Sequence, residues 1–112
     1  MKEKAEVLEA LRQAGEELDR AIQAHGEARV AYEEAADRLK DAQHRAIREG
    51  LQGKNAEARE AELSEKCALE EALLRERRTR LRLAEVELER AKTRLRVLEA
   101  ITRLLETPPT MR

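Results

Sequence analysis

The chain has 112 residues, of which 42% are charged and 41% are apolar, and it contains neither phenylalanine nor tryptophan. This length allows one domain with a thin core, and the missing aromatic bulk argues against a globular enzyme. The formal net charge of −1 gives no overall attraction to DNA or to an acidic membrane, so nucleic-acid binding would have to be local.

Small and apolar residues recur every three or four positions in the first half of the chain, which predicts a coiled-coil helix within residues 1–48. The series is Leu8, Leu11, Gly15, Leu18, Ile22, His25, Arg29, Tyr32, Ala36, Leu39, Gln43 and Ala46. A second row at heptad spacing lies beside it: Ala14, Ala21, Ala28, Ala35 and Ala42. We interpret this alanine row as an edge against which another helix could pack closely.

Residues 49–54 contain two glycines and predict a turn, after which Asn55 is a suitable N-cap for a second helix over residues 55–106. That helix carries its own series: Leu63, Cys67, Glu70, Leu74, Arg77, Leu81, Ala84, Leu88, Ala91, Leu95, Leu98, Thr102 and Leu105. The segment Thr107-Pro108-Pro109 should end it, because proline cannot continue a helix. Residues 107–112 are then expected to form a flexible tail.

So short a turn must send the second helix back along the first. The predicted fold is therefore all-α, a long antiparallel two-helix coiled-coil hairpin in which residue i lies beside residue 103 − i. Charge order agrees, since residues 1–37 carry ten acids and five bases while residues 75–96 carry four acids and nine bases. The alanine row and the wide apolar face over residues 95–105 favour a homodimer forming a four-helix bundle, or a higher even oligomer. The alternative is a monomer with an exposed alanine strip.

The predicted seam contains four polar positions, His25, Arg29, Glu70 and Arg77. The fold-back rule would bring Glu70 to Arg29 or to the tip of Tyr32. Buried charges are costly unless they are paired, so we interpret these residues as setting the register, with partner contact as the alternative.

An arginine-rich stretch over residues 75–96 includes Arg75, Arg78 and Arg82 on one helix face, followed by Arg90 and Arg94. Arginines on a rod can neutralise phosphates, but no aromatic residue stands nearby to stack on the bases of a single strand. Salt bridging to the acidic half of helix one is the favoured interpretation. Binding to a nucleic-acid backbone or to an acidic protein is the alternative.

No residue pattern predicts catalysis, a metal site, a cofactor or a small-molecule substrate. Cys67 lies on the apolar stripe as a small core residue, and neither His25 nor His44 has a second ligand at metal-binding spacing. Since one cysteine cannot form an internal disulfide, and neither a membrane span nor a secretory signal is visible, we expect a cytoplasmic protein without a membrane partner.

Residues 53–63 read Gly-Lys-Asn-Ala-Glu-Ala-Arg-Glu-Ala-Glu-Leu, and this turn pattern resembles that of small phage-type helical-hairpin proteins of uncharacterised role. The resemblance marks Asn55 and Arg59, and it implies an accessory role in phage or bacterial DNA metabolism. Arg59 is the stronger candidate contact, with a salt bridge to Glu49 or Glu62 as its structural alternative.

We therefore expect a non-enzymatic coiled-coil protein that acts in protein–protein interaction or as a scaffold. Two alternatives stay open at this point. The chain could bind a nucleic-acid backbone, or it could be a stalk or chaperone-like hairpin that docks in a larger complex.

Overall fold

A computed structural model describes residues 2–106, which are helical apart from a short connection. The helices are α1 over Lys2–Glu49, α2 over Ala56–Lys66 and α3 over Ala68–Glu106. The predicted all-α class is confirmed. The predicted tail, with its proline stop at residues 107–109, lies outside the described residues. Within residues 2–106, no helix has both the length and the apolar character that a membrane span requires.

The second predicted helix is interrupted once, at Cys67, whose backbone angles are φ −106° and ψ 19°. The Cys67 N–H still donates to the Leu63 carbonyl at 3.0 Å, and the Glu71 N–H donates to the Cys67 carbonyl at 2.9 Å. Helical hydrogen bonding therefore continues on both sides of one irregular residue. The sequence predicts a single helix here, and the structure has α2 followed directly by α3.

The described residues fall into two compact units. The first unit consists of residues 2–26 of α1 and residues 83–106 of α3. The second unit, residues 27–82, holds the rest of α1, the connection, α2 and the start of α3. In this second unit α1 and the returning chain run antiparallel, because Tyr32 contacts Arg78 whereas Ala42 shares a groove with Glu70.

The observed register differs from the predicted one. Tyr32 lies beside Arg78 in the second unit, and Glu17 lies beside Arg94 in the first, so neighbouring residue numbers add to 110 or 111 rather than 103. The cause is the connection, which does not form a tight corner. The backbone N–H groups of Gln52 and Gly53 donate to the Glu62 carboxylate and hold the connection against α2. As a result Glu62, rather than Asn55, lies level with the end of α1.

The core consists of small side chains. Its buried members are Ala14, Ala35, Ala46, Cys67 and Ala91. The stripe predicted for helix two is correct, because each of its residues is buried or half-buried. In the stripe predicted for helix one, nine of the twelve residues are buried or half-buried, but Leu8, Ile22 and Arg29 are exposed. Leu8 and Ile22 are 53% and 52% exposed, whereas Ala14 and Ala35 are 1% and 2% exposed.

The alanine row is therefore part of the contact between α1 and α3, and not an edge left open for another chain. A side chain that ends at Cβ lets two helix backbones approach closely, so alanine packs well where the helix axes are nearest. Ala21, Ala28 and Ala42 are half-buried in the same row. This removes the alanine row as an argument for dimerisation.

Candidate interaction surfaces

The connection between α1 and α2 is an ordered tip. Asn55, in an extended conformation, caps α2 by accepting a hydrogen bond from the Ala58 N–H at 2.8 Å through its Oδ1. One carboxylate oxygen of Glu62 accepts the N–H groups of Gln52 and Gly53 at 2.7 and 3.0 Å. Gly50, with φ +93°, lets the chain leave α1 in a left-handed conformation.

The residues of the phage-type turn pattern build this tip. The Arg59 Nη1 donates to the Gly53 carbonyl at 3.4 Å, and no ion pair from Arg59 to Glu49 or Glu62 occurs in the described part of the chain. A Cβ on Gly53 would lie 2.5 Å from the Arg59 backbone nitrogen and 2.7 Å from the Ala58 carbonyl carbon. Glycine is thus required at position 53 because α2 passes directly beside it.

The local environment lowers the pKa of the Glu62 carboxyl. Burial works against the charged form, but the N–H groups of Gly53 and Gln52 and the positive charge of Lys66 outweigh it. The ion pair with Lys66 measures 3.5 Å. A negative charge on Glu62 therefore stabilises the tip. From the sequence, Glu62 is predicted only as an alternative partner for Arg59, although its spacing from the two loop glycines allows this role.

The arginine-rich stretch is divided between the two units. In the second unit, the Arg78 guanidinium lies 5.9 Å from the centroid of the Tyr32 ring, at the outer limit of a cation–π contact. In the first unit, Arg94 pairs with Glu17 of α1 at 3.4 Å, while Arg90 pairs with Glu87 of its own helix at 3.3 Å. Arg94 of the arginine-rich stretch therefore forms the kind of salt bridge to helix one that the sequence predicts.

The four polar seam residues are not assembled into one cluster. Arg29 is exposed, so its assignment to the seam is wrong, and the shifted register removes it from Glu70. Glu70 instead lines a groove with Ala42 and Arg45 in the second unit. Arg77 is half-buried and pairs with Glu76 at 3.5 Å, while His25 is half-buried in the first unit.

A groove of about 480 Å³ runs between α1 and α3 in the first unit. The groove is lined by alanines and by charged residues of both signs: Glu17, Arg20, Ala21, Ala24, Glu87, Arg90, Ala91 and Arg94.

The thiol of Cys67 is buried, and burial, followed by the charges of Glu70 and Glu71, raises its pKa. Across residues 2–106, no group of three or more His, Cys, Asp or Glu side chains could hold a metal ion.

Large apolar side chains lie on the surface of both units. The exposed set comprises Leu8, Ile22, Val30, Ile47, Leu69, Leu83, Val86, Val97, Ile101 and Leu104. Leu69 of the second unit is 84% exposed. The end of this set, near residues 97–104, is predicted from the sequence, but Leu83 and Val86 are not. Leu83 and Val86 are three residues apart, which is the helical spacing of apolar residues that also identifies the seam.

The chain matches no protein-family model, no curated protein and no solved structure. The resemblance to phage-type hairpin proteins stays a prediction.

Proposed function

We propose that this chain is a non-enzymatic interaction protein that associates with itself through its helices. The observation that carries the proposal is a mismatch between the core and the surface. The core buries four alanines and one cysteine, whereas ten larger apolar side chains stay at least 38% exposed. Soluble monomers rarely leave contiguous apolar rows in water, and such rows mark protein contacts.

The energy available from these side chains suits helix-on-helix association. Fully burying a leucine, valine or isoleucine contributes about 1.5–3 kcal/mol, so a half-exposed one contributes roughly 1 kcal/mol when a partner covers it. Several such side chains in one row supply the apolar anchors, and the charged residues beside them supply specificity. The turn pattern supports placing this association in phage or bacterial DNA metabolism.

Sedimentation equilibrium of the full chain over a range of concentrations tests the proposal. We expect a mass that rises from 12.8 kDa toward twice that value, or toward a higher even multiple. A mass that stays at 12.8 kDa up to high micromolar concentration would contradict self-association.

A second candidate function, binding to a nucleic-acid backbone, is favoured by two arginines. Arg75 and Arg82 are exposed, and neither takes part in an ion pair between described residues. Both lie on the second unit, near Arg78, so three positive charges are close together along α3.

Fluorescence anisotropy with labelled duplex DNA separates the two functions. If Arg75 and Arg82 contact phosphates, replacing both by glutamine should weaken binding and reduce its salt dependence. Arg12, whose guanidinium is already held by Glu9 and Glu16, is the matched control. Absence of binding at about 50 mM salt would remove this candidate.

A further inference from the structure

We infer that a second copy of this chain docks antiparallel on one outer face of α3, about a two-fold axis that passes between Thr93 and Arg94. The inference rests on the proposed self-association and specifies its surface. The outer row consists of Leu83, Val86, Val97, Ile101 and Leu104, all exposed. At 100° per residue these positions fall within an arc of about 60°, and the arc lies about 130° from the seam with α1.

The spacing of the row is symmetric. Leu83 and Leu104 are equally distant along the chain from the point between Thr93 and Arg94, and the same is true of Val86 and Ile101. A helix of the opposite direction therefore brings Leu83 against Leu104 and Val86 against Ile101, and each contact occurs twice. Such self-complementarity is what an isologous two-fold interface requires.

Val97 has no apolar counterpart in this symmetry, because the matching position holds Arg90. The Arg90 guanidinium is drawn toward Glu87 of its own helix, at 3.3 Å, so its apolar stem can lie along Val97 of the second copy. Arg94, next to the axis, is neutralised within its own chain by Glu17 at 3.4 Å. The centre of the contact is thus polar but charge-balanced.

Charge beside the row favours the antiparallel direction. Glu89 and Arg96 lie on one flank of the row, at nearly equal distances on either side of the axis. An antiparallel second copy places Glu89 opposite Arg96 on that flank. A parallel copy would instead place Arg90 beside Arg90 within the row, and like charges across a contact are unfavourable.

The area of the row indicates a reversible association. The row is about 32 Å long, and its five side chains together expose roughly 250 Å² of apolar surface. A stable interface buries about 800 Å² from each partner, so the row and its flanking stems give a dimer that dissociates on dilution.

Cysteine cross-linking tests the direction and the axis. Thr93→Cys and Ala100→Cys are each introduced together with Cys67→Ala, so any effect of that background is common to both. About the proposed axis, the two Thr93 positions are separated along the helix by about 1.5 Å and the two Ala100 positions by about 20 Å. Oxidation should link T93C chains and leave A100C chains unlinked, because a disulfide needs Cβ atoms about 4 Å apart. Linking of both variants, or of neither while the chain sediments as a dimer, would overturn the inference.

A pair of lysine variants tests the face. Val97 and Ile22 are almost equally exposed, at 53% and 52%, but only Val97 belongs to the outer row. We expect Val97→Lys to raise the dissociation constant on the order of 100-fold, because it places a charge near Arg90 of the second copy. Ile22→Lys should change it less than about 2-fold. The reverse pattern would overturn the inferred face, whereas a monomeric unmodified chain would overturn the proposed function itself.

Discussion

Replacing Gly53 by alanine should destabilise the tip, although the substitution adds only one methyl group. In the native tip that methyl carbon would lie 2.5 Å from the Arg59 nitrogen, 2.7 Å from the Ala58 carbonyl carbon and 2.9 Å from the Arg59 Cγ. Two of these atoms belong to the backbone of α2 and cannot move without disturbing its first turn. The side-chain atom could rotate away, but only by breaking the Arg59 bond to the Gly53 carbonyl.

Inserting a methyl group into a close-packed site costs about 1–3 kcal/mol. Restricting the unfolded chain offsets about 0.4–1 kcal/mol of this cost. We therefore expect Gly53→Ala to lower the free energy of unfolding by roughly 1–2 kcal/mol, as measured by urea denaturation followed by circular dichroism. Amide exchange should accelerate first at Ala58 and Arg59, because the strain is local.

Gly26→Ala is the matched control. Gly26 lies inside α1, and a Cβ there would meet nothing within 4 Å. The same substitution should stabilise the chain by up to about 1 kcal/mol, since glycine is the poorer helix former. A Gly53→Ala variant as stable as the unmodified chain would refute the reasoning about the tip.

Three further changes have defined outcomes. Asn55→Ala should lower the free energy of unfolding in urea by about 1 kcal/mol, through loss of the α2 cap, and an unchanged value would argue against that cap. Ala35→Leu should lower it by about 1–3 kcal/mol because the contact has no room for three extra carbons, and a stabilised variant would contradict the assigned seam. Because the Glu62 pKa is lowered in the folded chain, its contribution is complete above the pKa of the unfolded chain and is lost as the pH falls through the folded value. Protection of the Gln52 and Gly53 amides from exchange, taken relative to the intrinsic rate at each pH, should therefore fall in acid, and Glu62→Gln should lose that dependence while Glu60→Gln keeps it.

The sequence predicts the helices well because their signal is periodic. Along α3, leucines alternate with smaller residues at the seam positions, so counting apolar residues identifies the correct face. Along α1 the same count is wrong at Leu8 and Ile22, because these residues outweigh the smaller alanines beside them. Alanine adds little to an apolar pattern, yet it is the residue that packs where two helices come closest. Ala14 and Ala35 are therefore buried while both larger residues face solvent.

The register could not be predicted from the number of residues in the turn. It depends on where the 50–55 connection lies, and that connection is held by hydrogen bonds that the Gln52 and Gly53 N–H groups donate to the Glu62 carboxylate. The irregular backbone at Cys67 could not be predicted either, because no glycine or proline lies near it in the sequence. The Glu62 contacts are tertiary, and they shift which residues of the arginine-rich stretch meet α1.

The account depends most on the pairing of α1 with α3, since that pairing decides which apolar residues are left for a second copy. Spin-label distances within one chain, measured after dilution with unlabelled protein, test it directly in the first unit. We compare a label pair at Arg20 and Arg90 with a pair at Gln13 and Arg90. The observed register offsets these pairs along the helices by about 1.5 and 12 Å, so the Arg20 pair should give the shorter distance. A shorter distance for the Gln13 pair would restore the tight-turn register and contradict the account.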